Sequence, residues 1–100
     1  MTGTASQIEW AKRIRPRVDA EFTRVAGAFQ SAACKQKDPD RMDTAAVIAI
    51  LEEKRVEVMA NDRAGYFIRN WQELTDQVRQ MIFADSRYQA IRANRETRSQ

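Results

Sequence analysis

Residues 6–33 read Ser-Gln-Ile-Glu-Trp-Ala-Lys-Arg-Ile-Arg-Pro-Arg-Val-Asp-Ala-Glu-Phe-Thr-Arg-Val-Ala-Gly-Ala-Phe-Gln-Ser-Ala-Ala, and their spacing sets the fold class. Ala11, Ile14, Val18, Phe22, Val25, Phe29 and Ala32 follow at intervals of three, four, four, three, four and three. That is the period of a helix with one apolar stripe, whereas a strand would alternate every second residue. Ser6-Gln7-Ile8-Glu9 matches a capping box, so the helix is predicted to begin at Ser6. Pro16 has no N–H to give to residue 12 and disfavours helical geometry at Arg15. The first helix is therefore expected to kink at Pro16 or to break there, with the stripe kept on one side.

Outward from this stretch, residues 35–43 are polar, hold Pro39 and read as a loop. Asp43 is a suitable N-cap for a second helix to about Met59. Val47, Ile48, Leu51, Val58 and the stem of Arg55 would face inward. Asn61-Asp62 can end that helix, and a short turn would hold Tyr66, Phe67 and Ile68 despite Gly65. Asn70 with Glu73 reads as another cap. A helix over about 71–84 would put Trp71, Leu74, Val78, Met81 and Ile82 on one stripe. Asp85-Ser86 can cap a last helix carrying Tyr88 and Ile91. No apolar residue follows Asn94, so about 95–100 are expected to be a frayed basic tail. The prediction is an all-α fold in one domain over 1–100. It is a small bundle of three main helices, the first kinked or broken at Pro16, with room for short extra helices.

Composition agrees. One hundred residues suit one domain. The apolar fraction is 43%, but 15 of those residues are alanine, leaving 28 larger side chains for one modest core. Three glycines and two prolines are too few turn residues for a β-sandwich. No run of 18 apolar residues exists, so no membrane span is expected, and no secretory signal is seen. The single Cys34 can form no internal disulfide, which suits a reducing cytoplasm.

Histidine is absent, which removes the commonest general acid–base and the commonest metal ligand. One cysteine without histidine makes a poor zinc site. Cys34 has no imidazole to activate it, and it reads as a small apolar residue at a helix end. No P-loop, dinucleotide-binding or nucleophile-elbow pattern appears. Glu52, Glu53 and Glu57 could hold Mg²⁺, but Lys54 and Arg55 beside them make ion pairs the plainer reading. The expectation is a protein that is not an enzyme and needs no cofactor or metal.

Surface charge is what remains. Residues 1–17 carry Lys12, Arg13, Arg15 and Arg17 against Glu9. Residues 85–100 carry Arg87, Arg92, Arg95 and Arg98 against Asp85 and Glu96. Residues 38–62 hold seven acids against three bases. Two binding surfaces can be drawn from this pattern. An acidic face of Glu52, Glu53, Glu57 and Asp43 could meet a Lys/Arg-lined protein surface. A basic set of Arg13, Arg17, Arg92 and Arg95 could contact phosphates if the two ends of the chain meet in space. Ordinary solvated helix faces would show the same charges. Trp10, Tyr66, Phe67 and Trp71 each lie on or beside an apolar stripe and read as core. The Val18–Phe22–Val25–Phe29–Ala32 stripe could also pair two copies in a homodimer.

Gly3-Thr4-Ala5-Ser6-Gln7-Ile8-Glu9-Trp10-Ala11-Lys12-Arg13-Ile14-Arg15 resembles the N-terminal signature of a group of small phage- and plasmid-encoded proteins. That signature is a Gly-Ser/Thr pair followed by Lys-Gln-Ile/Val-x-Trp-Ala-x-x-Ile-Arg. Gln7, Ile8, Trp10, Ala11, Ile14 and Arg15 match it, and Ser6 replaces lysine. A second motif of the group, an apolar pair followed by Ile-Asp-Asn-Arg, has its nearest counterpart in Tyr66-Phe67-Ile68-Arg69-Asn70-Trp71. There Ile68 and Asn70 match, while Arg69 and Trp71 depart. Some helical inhibitors of type I CRISPR systems are similar at the N-terminus. The resemblance implies a mobile-element protein that inhibits a host defence complex by binding it, a type I effector complex in the most concrete form. The matching residues themselves read as a packing motif with Ser6 as cap.

Overall fold

The computed structural model describes the backbone of residues 2–72 and 74–99, and all of their side chains except those of 74, 75 and 99. Five helices follow in order: α1 (Ala5–Cys34), α2 (Asp40–Met59), α3 (Ala64–Asn70), α4 (Leu74–Ala84) and α5 (Ser86–Ser99). The fold is an all-α bundle, elongated at 55 × 23 × 19 Å. The described residues hold one isolated β-bridge, between Thr2 and Arg63. No described helix is long and apolar enough to cross a membrane.

The stripe of α1 organises the bundle. Ala11, Val18, Phe22 and Val25 are fully buried. They meet Val47, Ile50, Leu51 and Val58 of α2, Ala64 and Phe67 of α3, and Val78 and Ile82 of α4 in one core. Each of the larger side chains among them contributes about 1.5–3 kcal/mol by leaving water. The stripe expected to pair two copies is thus largely used inside the chain. Among the described residues, α5 packs on α2 and α4 and not on α1.

α1 runs unbroken through Pro16. Pro16 and Lys12 are both exposed, so water can satisfy the carbonyl that the missing N–H leaves free. The start of α1 differs from the expectation at Ser6. Thr4 is the N-cap, and Ser6 lies inside the first turn. The Gln7 N–H donates to Thr4 Oγ1 at 3.2 Å, and the Thr4 N–H donates to Gln7 Oε1 at 3.0 Å. Gln7 does what a glutamate does in the usual box, because an amide oxygen accepts as a carboxylate does.

Three more boundaries moved. α2 begins at Asp40, so Asp43 lies in its first turn instead of capping it. Thr44, not singled out from sequence, is buried because its hydroxyl donates within the fold, with Gln36 Oε1 at 2.6 Å and the Asp40 carbonyl at 3.1 Å. Trp71 precedes α4 and closes α3, yet it is only 3% exposed and meets the Phe22 ring at 5.9 Å. α5 continues past Asn94 to Ser99, where the sequence reading expected fraying. Asp85 caps α5 by accepting the Arg87 N–H at 2.8 Å, as its sequence position implied. The expected pairing of Asn70 with Glu73 falls on Glu73, and the inward placement of Leu74 on a side chain, that lie outside the described residues.

Candidate functional site

The acidic face predicted from sequence is mostly engaged within the chain. Glu52 accepts from Arg55, whose guanidinium also reaches Asp19 Oδ1 at 3.1 Å. That pairing lowers the Glu52 pKa and raises that of Arg55. Glu53 accepts from Arg87 at 2.7 Å. Asp43 accepts from Arg98, which also reaches Asp40 at 3.1 Å. Asp85 gathers Arg87 at 3.1 Å and Lys54 at 3.0 Å, and the two cations, Arg87 first, hold its carboxyl well below the usual range. Glu57 alone of the four candidates has no such partner among the described residues. The band of negative charge is therefore the joint between α2 and its neighbours α1 and α5.

The basic set does not converge. Arg95 lies 3.7 Å from Asp40 and Arg92 the same distance from Glu96, both on α5. Arg15 of α1 donates to the Met59 carbonyl at the far end of α2. Asp43 and Met59 are sixteen residues apart on one helix, a rise of about 24 Å. Arg92 and Arg95 thus sit towards one end of the bundle, and Arg13 and Arg17 towards the other. The condition on which that phosphate-contacting surface depended, that the two ends of the chain come together, does not hold. α5 runs back along α2 towards Asp40, which carries its arginines away from the start of α1.

The motif that begins α1 does its structural work in a compact clasp. Thr2 pairs with the neighbouring segment through its N–H to the Asp62 carbonyl (2.8 Å) and its carbonyl to the Ala64 N–H (3.0 Å). Gly3 then turns the chain at φ +141°, where a Cβ would stand 3.2 Å from that of Ala64. Thr4 and Gln7 form the cap, Ala11 is buried against the core, Ile8 and Ile14 pack on its edge, and Arg15 ties down α2. One residue of the motif is left over. Trp10 is 59% exposed, so the core reading of this indole is corrected; those of Phe67 and Trp71 hold.

Trp10 stands on a groove between α1 and α3. Its lining is Trp10, Ile14 and Arg17 from α1, Ile68 from α3, and Trp71 and Gln72 from the segment that follows; its volume is about 400 Å³. Trp10, Arg13, Ile14 and Arg17 are spaced as i, i+3, i+4 and i+7, so they share one face of α1. Gln72 is shared with a polar hollow formed with Arg69, Asn70, Gln77 and Gln80. Arg69 and Asn70 continue into a third hollow with Asn61, Arg63 and Tyr66. Three hollows thus lie side by side around α3, with Gln72, Arg69 and Asn70 shared between neighbours. Arg13, Arg17 and Arg69 have no ion-pair partner among the described residues.

Sequence reasoning missed Trp10 because helical spacing places it beside the stripe, and only its neighbours decide whether that flank is covered. A signal was present: Trp10 stands one position before Ala11, and Arg13 and Arg17 lie on its own face. No group of three or more His, Cys, Asp or Glu placed to hold a metal occurs among the described residues. Comparison of the chain with protein-family models, with curated proteins and with solved structures found no match.

Proposed function

We propose that this chain is a non-catalytic binding protein, and that it engages a protein partner through the groove between α1 and α3. The observation that carries this reading is Trp10. A large indole left more than half exposed, on a concave apolar surface and flanked by unpaired arginines, has the composition of an interface anchor. A second apolar hollow, around Val25, Phe29 and Phe83, is a weaker candidate. It measures about 170 Å³, and Arg24 on its edge is already paired with Glu21.

The resemblance at the N-terminus supplies the setting: a mobile-element inhibitor acting in the cytoplasm of a bacterial host, in its most concrete form an anti-CRISPR protein that blocks a type I effector complex. The contact surface proposed here is the Trp10 groove instead of the acidic helix, because Glu52, Glu53 and Asp43 are occupied by arginines of the same chain.

The test is a pulldown with a purified type I effector complex, together with phage plating on a host that carries the system. Wild-type chain and Glu57→Lys are expected to bind and to protect phage, and Trp10→Ala to fail in both. Binding retained by Trp10→Ala and lost in Glu57→Lys would return the interface to the acidic helix. No binding by any form would remove the effector complex as partner.

A further inference from the structure

We infer that the occupant of the α1/α3 groove is an acidic segment of a protein partner that carries one bulky apolar side chain. The inference rests on the reading of this groove as the working surface, and adds the chemistry of what it takes.

Three observations lead there. The groove is lined by Ile14, Ile68 and the indoles of Trp10 and Trp71, and about 400 Å³ accommodates one or two side chains. An apolar side chain entering it would leave water against mainly apolar walls. Among the described residues that line the groove and the adjoining hollow, the charged ones are Arg17 and Arg69, and Arg13 lies one turn from Arg17 on the same face of α1. Each has free donors in the planar array that matches a carboxylate. The amides of Asn70, Gln72, Gln77 and Gln80 line the next hollow; the first three each donate one N–H to a backbone carbonyl of the chain, which leaves their side-chain oxygens to accept from a peptide backbone.

A nucleic acid is the competing occupant, since arginines and an exposed indole also suit unpaired bases. The distribution of charge favours protein. Affinity for a phosphate backbone grows with the number of phosphates neutralised, so it calls for a track of cations. Here the cations with no ion pair among the described residues form no single track on a 55 Å molecule: Arg13, Arg17 and Arg69 stand by the groove, and Lys35, Lys37 and Arg41 lie around the loop from α1 to α2. Arg95 and Arg98 of α5 lie against Asp40 and Asp43. An apolar slot with a basic lip fits an acidic, apolar-anchored peptide more closely than an extended strand.

The test uses the intact chain immobilised for selection from a library of random peptides of about 12 residues. The best binders are then titrated by fluorescence anisotropy against wild type, Trp10→Ala, Arg17→Glu and Glu57→Lys, with oligothymidine of similar length as a competitor. Circular dichroism checks that each variant keeps its helix content. The expected result is a consensus of Asp and Glu around one Trp, Phe or Leu. Its affinity should fall about tenfold or more in both Trp10→Ala and Arg17→Glu, and stay unchanged in Glu57→Lys. Neutral or basic peptides that depend on Trp10 but not on Arg17 would overturn the acidic occupant while leaving the groove as the binding surface. Peptides indifferent to Trp10, or no enrichment, would overturn both. Oligothymidine that binds more tightly than any peptide, in a salt-sensitive and Trp10-dependent way, would replace the protein occupant by nucleic acid.

Discussion

At the start of α2, Arg98 of α5 is held by Asp40 and Asp43, with Arg95 close by. Beyond the other end of the same helix, Arg13, Arg17 and Arg69 carry charges that nothing described in the chain neutralises. Arginine is thus used in two ways within one small bundle. Along α2 and α5 it is structural: α5 makes few apolar contacts of its own, with Tyr88 and Ile91 only partly buried, and ion pairs help set its register on α2. Around α3 the packing is done by Ala11, Ala64, Phe67 and Trp71, and of the arginines at that end Arg15 holds the Met59 carbonyl while Arg13, Arg17 and Arg69 make no ion pair among the described residues. The difference shows what a charge count along the sequence leaves out. In the richest run of acids, Asp40, Asp43, Glu52 and Glu53 are answered by arginines of the same chain.

Four measurements would break or sharpen that contrast. The largest effect is expected from Phe22→Ala, which empties a site shared by both regions. Phe22 is 1% exposed and supports Trp71. Urea unfolding should show a loss of about 3–5 kcal/mol, enough to leave a domain of this size marginal or unfolded. A loss below about 1 kcal/mol would mean that the two regions do not share the core described.

Next comes Asp85→Ala on the paired side. Asp85 caps α5 and receives both Lys54 and Arg87, so its removal should cost up to about 2 kcal/mol in the same assay. The pH dependence has a defined sign. Asp85, Glu52 and Glu21 have lowered pKa values in the folded chain, the first through Arg87 and Lys54, the others through Arg55 and Arg24. As pH falls, the unfolded chain takes up protons first. The stabilisation is therefore complete above about pH 5 and is lost progressively as pH drops through the lowered values. The Asp85 variant should lose less stability than wild type between neutral and acid pH, and an equal slope in both would show that its carboxylate is not the one held down.

Thr4→Ala tests the clasp beneath the unpaired end. Loss of the capping oxygen should cost about 1 kcal/mol and speed amide exchange in the first turn of α1. Unaltered exchange at Gln7 would remove Thr4 as cap. The smallest effect on stability belongs to Trp10→Ala, expected within about 0.5 kcal/mol of wild type by the same unfolding assay. A larger loss would mean that this indole is structural after all, and the contrast between the two ends would fail at its most exposed residue.

Much of the fold was legible from residue spacing. The α1 stripe, the loop around Pro39, the end of α2 near Met59 and the Asp85 cap all follow from local chemistry, because caps and periodicity act within a few residues. The misplaced boundaries are also local, but they involve choices between near-equal candidates. Thr4 and Ser6 can each cap a helix, and the contact of Gly3 with Ala64, sixty-one residues on, accompanies the choice of Thr4. The candidate site was less legible. Glu52, Glu53 and Glu57 look alike in sequence, yet the first two meet Arg55 and Arg87 and the third meets no such partner among the described residues.

The sequence by itself determined that this chain is helical, that one amphipathic stripe builds its core, and that it offers no imidazole and a single thiol. Those properties reside in composition and in intervals of three and four residues. Only the tertiary structure decided which charges are spent and which are free, and which indole of Trp10 and Trp71 is core and which is surface. Ion pairs such as Arg98 with Asp43 span fifty-five residues, and the covering of Trp71 depends on Phe22 from another helix. Both depend on where distant segments come to rest, which no local interval records.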